Sequence, residues 1–315
     1  MIQVSLLEKH LKNWEDKIIK YLKAMDRGIL LMLLASLASA MVGGFTKVVT
    51  QSLPPLEVTF FRNLFGVILI GITIYKIPLK QKGGKLLLLL FRGTIGFFSL
   101  LAYFYTIAHI PLGEAVTYNK TSPIFVAIFA YIFLNEKLPK SAIFAVIVGF
   151  IGIVLIAKPD GFTLERYDLI GILSGVGAAL SYTSIRELRK YYDTRAIVLS
   201  FMGIGTITPV ILMVISPFIN LPHLDFMFAK FIMPKEILWI YVIGIGFFAT
   251  ISQFFMTKAY EHTKAGIVGT IGYTNIVFAL FIGIMLGDSI PDIWTIIGIA
   301  SVIFAGLIVA SFISS

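Results

Sequence analysis

Long apolar segments alternate with short polar loops over most of the chain. Each segment is about 18–23 residues long, the length a helix needs to cross a hydrocarbon core of about 30 Å. The pattern lacks the short alternating segments of an outer-membrane barrel. We therefore predict an all-α polytopic membrane protein with ten transmembrane helices, at about residues 28–50, 56–75, 86–107, 112–134, 140–157, 168–188, 196–216, 236–257, 265–286 and 291–312.

Positive charges in the loops give these segments an orientation. If the N-terminus is cytoplasmic, the inner side carries 18 Lys and Arg residues and the outer side carries 4. This bias follows the positive-inside rule. It predicts a multi-pass protein of the cell inner (cytoplasmic) membrane with both termini in the cytoplasm. It also accounts for the net charge of +9, so we expect the bilayer and not nucleic acid as partner.

Residues 1–27 carry no apolar core of a signal peptide. Leu7, Leu11, Trp14 and Ile18 recur at helical spacing, and lysines occupy much of the remaining surface. We predict a cytoplasmic amphipathic leader that lies on the lipid headgroups. A solvated leader is the alternative.

The composition narrows the class further. The chain is 58% apolar and 14% charged, with a mean hydropathy of +0.92, which is more apolar surface than a soluble domain of 315 residues can bury. The sequence has no cysteine, and its four histidines are scattered singly. Disulfides, thiolate metal sites and cysteine catalysis are therefore excluded. We expect neither a metal site nor a cofactor.

The two halves of the chain resemble each other. A shift of 152 residues lays 122–127 over 274–279, and a shift of 139 lays 38–41 over 177–180. The repeats, 28–158 and 166–312, would each hold five helices. An odd number makes the second repeat enter the membrane from the opposite side. Such inverted repeats are typical of alternating-access transporters with a site near the midplane.

The fourth segment contains a costly polar run, 118–123, with the sequence YNKTSP. Lys120 lies about 12 Å into the segment, where a charge costs at least ~2.5–3.5 kcal/mol, and Pro123 removes a backbone donor. The shift of 152 places this run opposite 272–275, which also weakens a helix. Two corresponding weak points indicate a substrate site. A buried structural ion pair of Lys120 is the alternative.

Polar and aromatic side chains near these points are candidate substrate contacts, although polar helix packing would explain some of them. The candidates are Lys120, Tyr118, Asn119, Tyr103, Gln253, Tyr273 and Asn275. No carboxylate lies near the middle of a segment, which argues against direct proton coupling. Segments 5 and 10 show only small residues, which indicates peripheral packing or a homodimer contact.

Four further residues are predicted to be structural or gating: Arg62, Arg92, Pro123 and Glu57. Arg62 could pair with Glu57 or hold the second helix against its neighbours. Arg92 either extends to the headgroups or begins the polar stripe of the third segment.

Motifs in both halves resemble the EamA-type branch of the ten-helix drug/metabolite transporter (DMT) superfamily. The resemblance covers about residues 28–312. It is carried by Leu53-Pro54-Pro55-Leu56-Glu57 with Phe61-Arg62, Arg92-Gly93-Thr94-Ile95-Gly96, Ile110-Pro111-Leu112-Gly113-Glu114-Ala115 with Ser122-Pro123-Ile124-Phe125 and Asn135-Glu136-Lys137-Leu138, and Gly287-Asp288-Ser289-Ile290-Pro291.

The resemblance implies an inner-membrane carrier of small organic solutes with a central cavity between two five-helix halves. The sub-branch that includes S-adenosylmethionine and riboflavin carriers is the most similar. The chain departs from the pattern at Asn275, where the first half has proline, and at Asp288, where glutamate is commoner. Lys120 is not a family-wide site residue, so it marks specificity in this protein or a small subgroup.

These features together predict a secondary transporter and not an enzyme. We expect it to move a small anionic or zwitterionic metabolite, such as an amino-acid-, nucleoside- or vitamin-like solute, across the inner membrane by alternating access. The alternatives are a membrane-embedded enzyme acting on a lipid-linked substrate, and a channel or non-transporting scaffold. The enzyme would need a catalytic cluster, and His109 with Glu114 is the only near-pair in the sequence.

Overall fold

A computed structural model describes residues 27–79, 81–134, 140–157, 165–218, 224, 226–262 and 271–313. These residues form helices and loops without a β-strand. The helices are α1 (Arg27–Val49), α2 (Pro55–Lys76), α3 (Leu86–His109), α4 (Leu112–Asn119), α5 (Ser122–Leu134), α6 (Lys140–Ala157), α7 (Arg166–Leu188), α8 (Thr194–Ile215), α9 (Glu236–His262), α10 (Thr274–Met285) and α11 (Ile293–Ile313).

The all-α prediction is confirmed, and the helix bounds follow the predicted segments closely. Six helices in the described ranges are long and apolar enough to cross a membrane: α1, α2 and α3 over their full lengths, then Arg166–Ile185, Thr194–Phe218 and Glu236–Met256. The fourth predicted segment is divided into α4 and α5. The predicted leader, 1–27, lies outside the described residues apart from Arg27.

The main helix pairs each join the N-terminal half of the chain, 27–157, to the C-terminal half, 166–313. The most extensive packing is between α1 and α9, α3 and α7, α2 and α8, and α6 and α11. Helix α10 also packs on α1, and α5 packs on α7. The central apolar cluster therefore draws buried side chains from both halves, including Phe61, Phe104, Tyr118, Val242 and Ile276.

Helices α6 and α11 meet through glycines. A side chain added at Gly298 would stand 2.7 Å from the carbonyl oxygen of Gly152 and 3.1 Å from the backbone nitrogen of Ile156. The small residues predicted in segments 5 and 10 thus serve contact within one chain at the periphery of the bundle. The homodimer stays a prediction.

The α2–α3 end of the bundle, where α2 ends and α3 begins, joins loops from both halves. The Asp193 side chain caps α8 by accepting a hydrogen bond from the Arg195 backbone nitrogen. The Arg195 guanidinium donates to the carbonyl oxygen of Ile77 at 2.7 Å. Nearby, the backbone nitrogens of Lys82 and Gly83 donate to Tyr191 O, each at 2.9 Å. These contacts hold the α2–α3 loop against the α7–α8 loop.

Replacing Gly298 with alanine should destabilise the protein, because the new Cβ meets backbone atoms that cannot rotate away. We expect a loss of about 1–3 kcal/mol, measured as a lower melting temperature in detergent. Gly203→Ala is the matched control, since nothing lies within 4 Å of a Cβ there. Helix propensity should leave that variant equal to or more stable than the parent. Equal melting temperatures for the two variants would contradict the packing.

Candidate functional site

The helix of the fourth segment is interrupted at Lys120 and Thr121. Helix α4 ends at Asn119, and α5 begins at Ser122 after two turn residues. The backbone nitrogen of Lys120 still donates to Val116 O at 2.9 Å, and the Thr121 hydroxyl donates to Tyr118 O at 2.6 Å. Pro123 lies in the first turn of α5, where its missing N–H has no helical partner to lose.

A similar interruption precedes α10 in the other half. Residues 271 and 272 are helical, Tyr273 is a turn, and α10 begins at Thr274. The Thr274 hydroxyl donates to Ile271 O at 2.7 Å, with the same three-residue spacing as the Thr121 bond. Both weak points expected from the repeat therefore coincide with interruptions in the structure.

Helix α7 packs directly against the first interruption because it has glycine at the contact. A Cβ at Gly175 would lie 2.6 Å from Tyr118 O and 2.5 Å from Thr121 Oγ1. No residue larger than glycine could stand there without a shift of backbone. The close approach also places polar groups of α7 beside α4.

Tyr118 donates its phenolic hydrogen to Asp168 on α7, at 2.8 Å. Tyr118 and Asp168 are both buried. Sequence reasoning did not single out Asp168. An acidic residue in the first turn of a predicted membrane helix was the available signal.

Asn119 and Asn275 occupy comparable positions in the two halves. The Asn119 amide donates to Ser174 Oγ on α7 at 3.3 Å, and the buried Asn275 amide donates to Ser36 O on α1 at 2.8 Å. Two serines make a second matched pair of bonds. Ser99 Oγ donates to Ser174 O at 2.7 Å, and Ser252 Oγ donates to Ala35 O at 2.8 Å.

Lys120 is half-buried at the interruption between α4 and α5. Its ammonium group has no hydrogen-bond acceptor and no carboxylate partner among the described residues. The buried ion pair that was the alternative at this position is therefore not formed within the described part of the chain.

The remaining candidates lie on separate surfaces. Tyr103 is half-buried on α3, with its ring 5.8 Å from that of Phe104. The Tyr273 hydroxyl is buried without a hydrogen-bond partner among described residues, and its ring packs against Gly306 of α11. Gln253 is exposed on α9. The structure thus groups Tyr118, Asn119 and Lys120, and separately groups Tyr273 and Asn275.

The polar stripe predicted on α3 faces its neighbouring helices. A Cβ at Gly96 would lie 2.9 Å from the Phe201 ring of α8 and 3.0 Å from Ser181 Oγ of α7. Thr106 is buried, and its hydroxyl donates to Ala102 O at 2.8 Å. These residues allow α3, α7 and α8 to pack closely.

Arg62 and Arg92 share one aromatic ring. The guanidinium carbon of Arg92 lies 4.7 Å from the centroid of Phe201, and that of Arg62 lies 5.4 Å from the same centroid. Arg62 also donates to Asn63 Oδ1 at 2.9 Å. Arg92 is only 7% exposed, so its side chain does not extend to the surface of the bundle.

Glu57 is fully buried near the start of α2. Its Oε2 accepts a hydrogen bond from the Ile232 backbone nitrogen at 2.9 Å, while Oε1 has no partner among the described residues. The ion pair with Arg62 that the sequence allowed is not formed. Glu57 instead fixes the start of α2 to the segment that precedes α9.

The α1–α2 end of the bundle, where α1 ends and α2 begins, is held by an ionic network. Lys47 forms an ion pair with Asp288 and donates to Ile110 O at 3.0 Å. Asp288 Oδ2 also accepts from the Leu112 backbone nitrogen, at 2.8 Å, at the start of α4. We call Lys47, Asp288, Ile110 and Leu112 the Lys47–Asp288 network. It joins three loops from the two halves, and sequence reasoning placed Lys47 at the interface instead.

Replacing Tyr118 with phenylalanine should lower stability, because the buried Asp168 carboxyl would lose its donor. We expect a loss of about 1–3 kcal/mol, visible as a lower melting temperature. Tyr131→Phe on α5 is the control, since Tyr131 is 56% exposed. An unchanged melting temperature for Tyr118→Phe would contradict the proposed contribution of the bond.

Comparisons with known proteins agree with this architecture. The EamA-like transporter family matches the chain twice, over residues 26–158 and 166–312. A solved structure with a TM-score of 0.58 and 15% sequence identity covers 91% of this chain and 97% of its own. At that identity the similarity concerns the fold alone.

Two bacterial relatives are similar over nearly their whole length. An uncharacterized transporter of Helicobacter pylori is 34% identical over 90% of this chain and 94% of its own. The pseudopaline exporter CntI of Pseudomonas aeruginosa is 32% identical over 88% of this chain and 93% of its own. With its two family matches and its apolar helices, this chain is a multi-pass membrane protein that belongs to the EamA-like transporter family, within the drug/metabolite transporter superfamily.

Proposed function

We propose that the protein is a secondary transporter that moves a small anionic or zwitterionic metabolite across the inner membrane by alternating access. Relatives of this chain are named transporters, and transporters are not enzymes. The observation that carries the choice of solute is the unpaired ammonium group of Lys120 at the interruption between α4 and α5. The solute would supply the negative charge that the described residues do not.

The free energy of an unpaired cation in the membrane supports this role. A lysine near the middle of a transmembrane segment is costly unless it meets water or a counter-charge. Its ammonium group is a compact charge on a flexible stem, able to follow a moving ligand. Asn119 and Tyr118 flank it with polar groups. Tyr103, Gln253, Tyr273 and Asn275 are proposed to contact the solute when the two halves approach each other.

The matched hydrogen bonds support an inverted repeat of two five-helix units, 28–158 and 166–312. The acceptors of the two serine bonds, Ala35 and Ser174, are 139 residues apart, which is the shift that aligns the first helices of the repeats. The helix pairs agree as well, because exchanging the halves turns α1–α9 into α7–α3. Ten spans with both termini in the cytoplasm would place the α1–α2 end outside.

Alternating access requires that each end of the bundle can open. The Lys47–Asp288 network closes the α1–α2 end between the halves, and the Arg195–Ile77 contact joins them at the α2–α3 end. Rocking one half against the other would break one set of contacts while it keeps the other. In this scheme Arg62, Arg92, Glu57 and Pro123 shape the moving helices.

A membrane-embedded enzyme is not favoured by any contact among the described residues. His109 Nδ1 lies 2.8 Å from Tyr105 O, and its ring stacks on Tyr167 with centroids 4.4 Å apart. These contacts describe a histidine packed among aromatic residues at a helix end. They do not arrange it as an acid or base beside a reacting group.

Replacing Lys120 with methionine should weaken binding and transport of the solute at least about tenfold, the effect of losing about 1.4 kcal/mol. A thermal-shift screen of a metabolite library with the purified protein would identify the solute, because a ligand of the folded state raises its melting temperature. Flux into proteoliposomes would then compare the variants.

Lys140→Met is the control for Lys120→Met, since Lys140 is exposed at the start of α6. It should leave binding and flux unchanged. If Lys120→Met transports the identified solute with unaltered affinity and rate, the site assignment is wrong.

Replacing Asp288 with asparagine should open the α1–α2 end more often, because the charge that holds Lys47 is lost. The chain has no native cysteine, so one cysteine at the buried Ala115 position can report access by its rate of thiol labelling. We expect faster labelling in Ala115→Cys/Asp288→Asn than in Ala115→Cys alone.

Asp292→Asn is the control for charge removal. Asp292 caps α11 by accepting from the Thr295 backbone nitrogen at 2.8 Å, and asparagine caps helices about equally well. It should leave the labelling rate at position 115 unchanged. Equal rates for the parent and Asp288→Asn would remove the gate from the proposed mechanism.

A further inference from the structure

Two cations and one aromatic ring form a cluster that the Lys120 site does not include. It consists of Arg62 on α2, Arg92 on α3, Phe201 on α8 and Tyr182 on α7, which we call the two-arginine cluster. Both guanidinium groups lie over Phe201, at 5.4 Å and 4.7 Å from its centroid. The Tyr182 side chain lies within electrostatic range of both.

The cluster has positive charge without a compensating carboxylate. No Asp or Glu among the described residues forms an ion pair with Arg62 or Arg92. Glu57, the acidic residue of α2, accepts instead from the Ile232 backbone at 2.9 Å. The two guanidinium groups are close enough to repel each other. In the interior of a membrane protein such an arrangement is expensive unless a counter-ion enters.

Arg92 also has donors to offer. Its side chain is 93% buried, since only 7% is exposed, and its Nε and Nη1 atoms are buried without a hydrogen-bond acceptor among the described residues. Stacking over Phe201 occupies the face of the guanidinium plane and leaves the N–H groups at its edge available. Those edge donors match the two oxygens of a carboxylate.

Neighbouring residues hold this geometry in place. Glycines at positions 93 and 96 let α8 approach α3, because a Cβ at Gly93 would stand 3.0 Å from Ser200 O and one at Gly96 would stand 2.9 Å from the Phe201 ring. Asn63 fixes Arg62 by accepting from Nη1 at 2.9 Å while its amide donates to Thr59 O at 2.8 Å. Arg62 is half-buried and Tyr182 is 54% exposed, so the cluster has an open side.

We infer that the two-arginine cluster binds a carboxylate group, held by the edge N–H donors of Arg92 and by the charge of Arg62 above and beside Phe201. The carboxylate belongs to the transported solute, and in that respect the inference rests on the proposed function. A solute that also meets Lys120 would then carry two anionic groups, or would pass from one cation to the other during transport.

Acetate is the simplest probe, because it presents a planar carboxylate and little else. The melting temperature of the purified full-length protein would be measured in sodium acetate and in sodium chloride at equal ionic strength. We expect acetate to raise the melting temperature above the chloride value, since binding to the folded state stabilises it. Absence of any acetate-specific rise in the parent protein would overturn the inference.

Variants locate the bound anion. Arg92→Gln should abolish the acetate-specific rise and Arg62→Gln should reduce it, whereas Arg189→Gln should retain it because Arg189 is exposed at the end of α7. If Arg92→Gln does not fold, Arg92→Lys keeps the charge without the planar fork and should weaken the rise. A full rise in the folded Arg92 variant would show that the arginine is structural and would overturn the inference.

Lys120→Met separates this inference from the proposed function. It should keep the acetate-specific rise, because Lys120 is not part of the cluster. Loss of the rise in Lys120→Met together with its retention in Arg92→Gln would assign the anion to Lys120. That result would overturn the two-arginine site and leave the proposed function standing.

Discussion

A helix inside a bilayer must satisfy its own backbone hydrogen bonds, and this constraint governs the structure around Lys120. The interruption between α4 and α5 is tolerated because nearby groups replace what the helix loses. The Thr121 hydroxyl binds Tyr118 O, and Pro123 brings no N–H to the first turn of α5. Helix α7 covers the site closely only because residue 175 is glycine. The unpaired lysine is thus set in a backbone stabilised from outside its own helix.

The polar side chains within the bundle mostly fasten one half of the chain to the other. Tyr118 reaches Asp168, Ser99 reaches Ser174, and Asn275 reaches Ser36. Each of these bonds crosses between helices with little apolar driving force for association in lipid. Lys120 and Arg92 differ from them, because their polar atoms have no such partner among the described residues. That difference separates groups that hold the fold from groups available to a solute.

The sequence was sufficient to predict the helices and the weak points, since apolar length and the run 118–123 act locally. It could not predict pairings set by tertiary contact. Lys47 and Glu57 both lie near helix ends, where snorkelling is the simplest expectation, yet Lys47 binds Asp288 and Glu57 binds the Ile232 backbone. Arg62 and Arg92 are 30 residues apart in sequence, and only the placement of Phe201 on α8 brings them to one ring.

The pairing of each helix with one from the opposite half also sets an order for biogenesis. Helices α1, α2, α3 and α6 are synthesised before their main partners α9, α8, α7 and α11. The first half must therefore wait in the bilayer with its glycine faces and polar side chains uncovered, and lipid or an insertion factor must shield them. Helix α6 waits longest, because α11 is the last helix of the described chain to leave the ribosome.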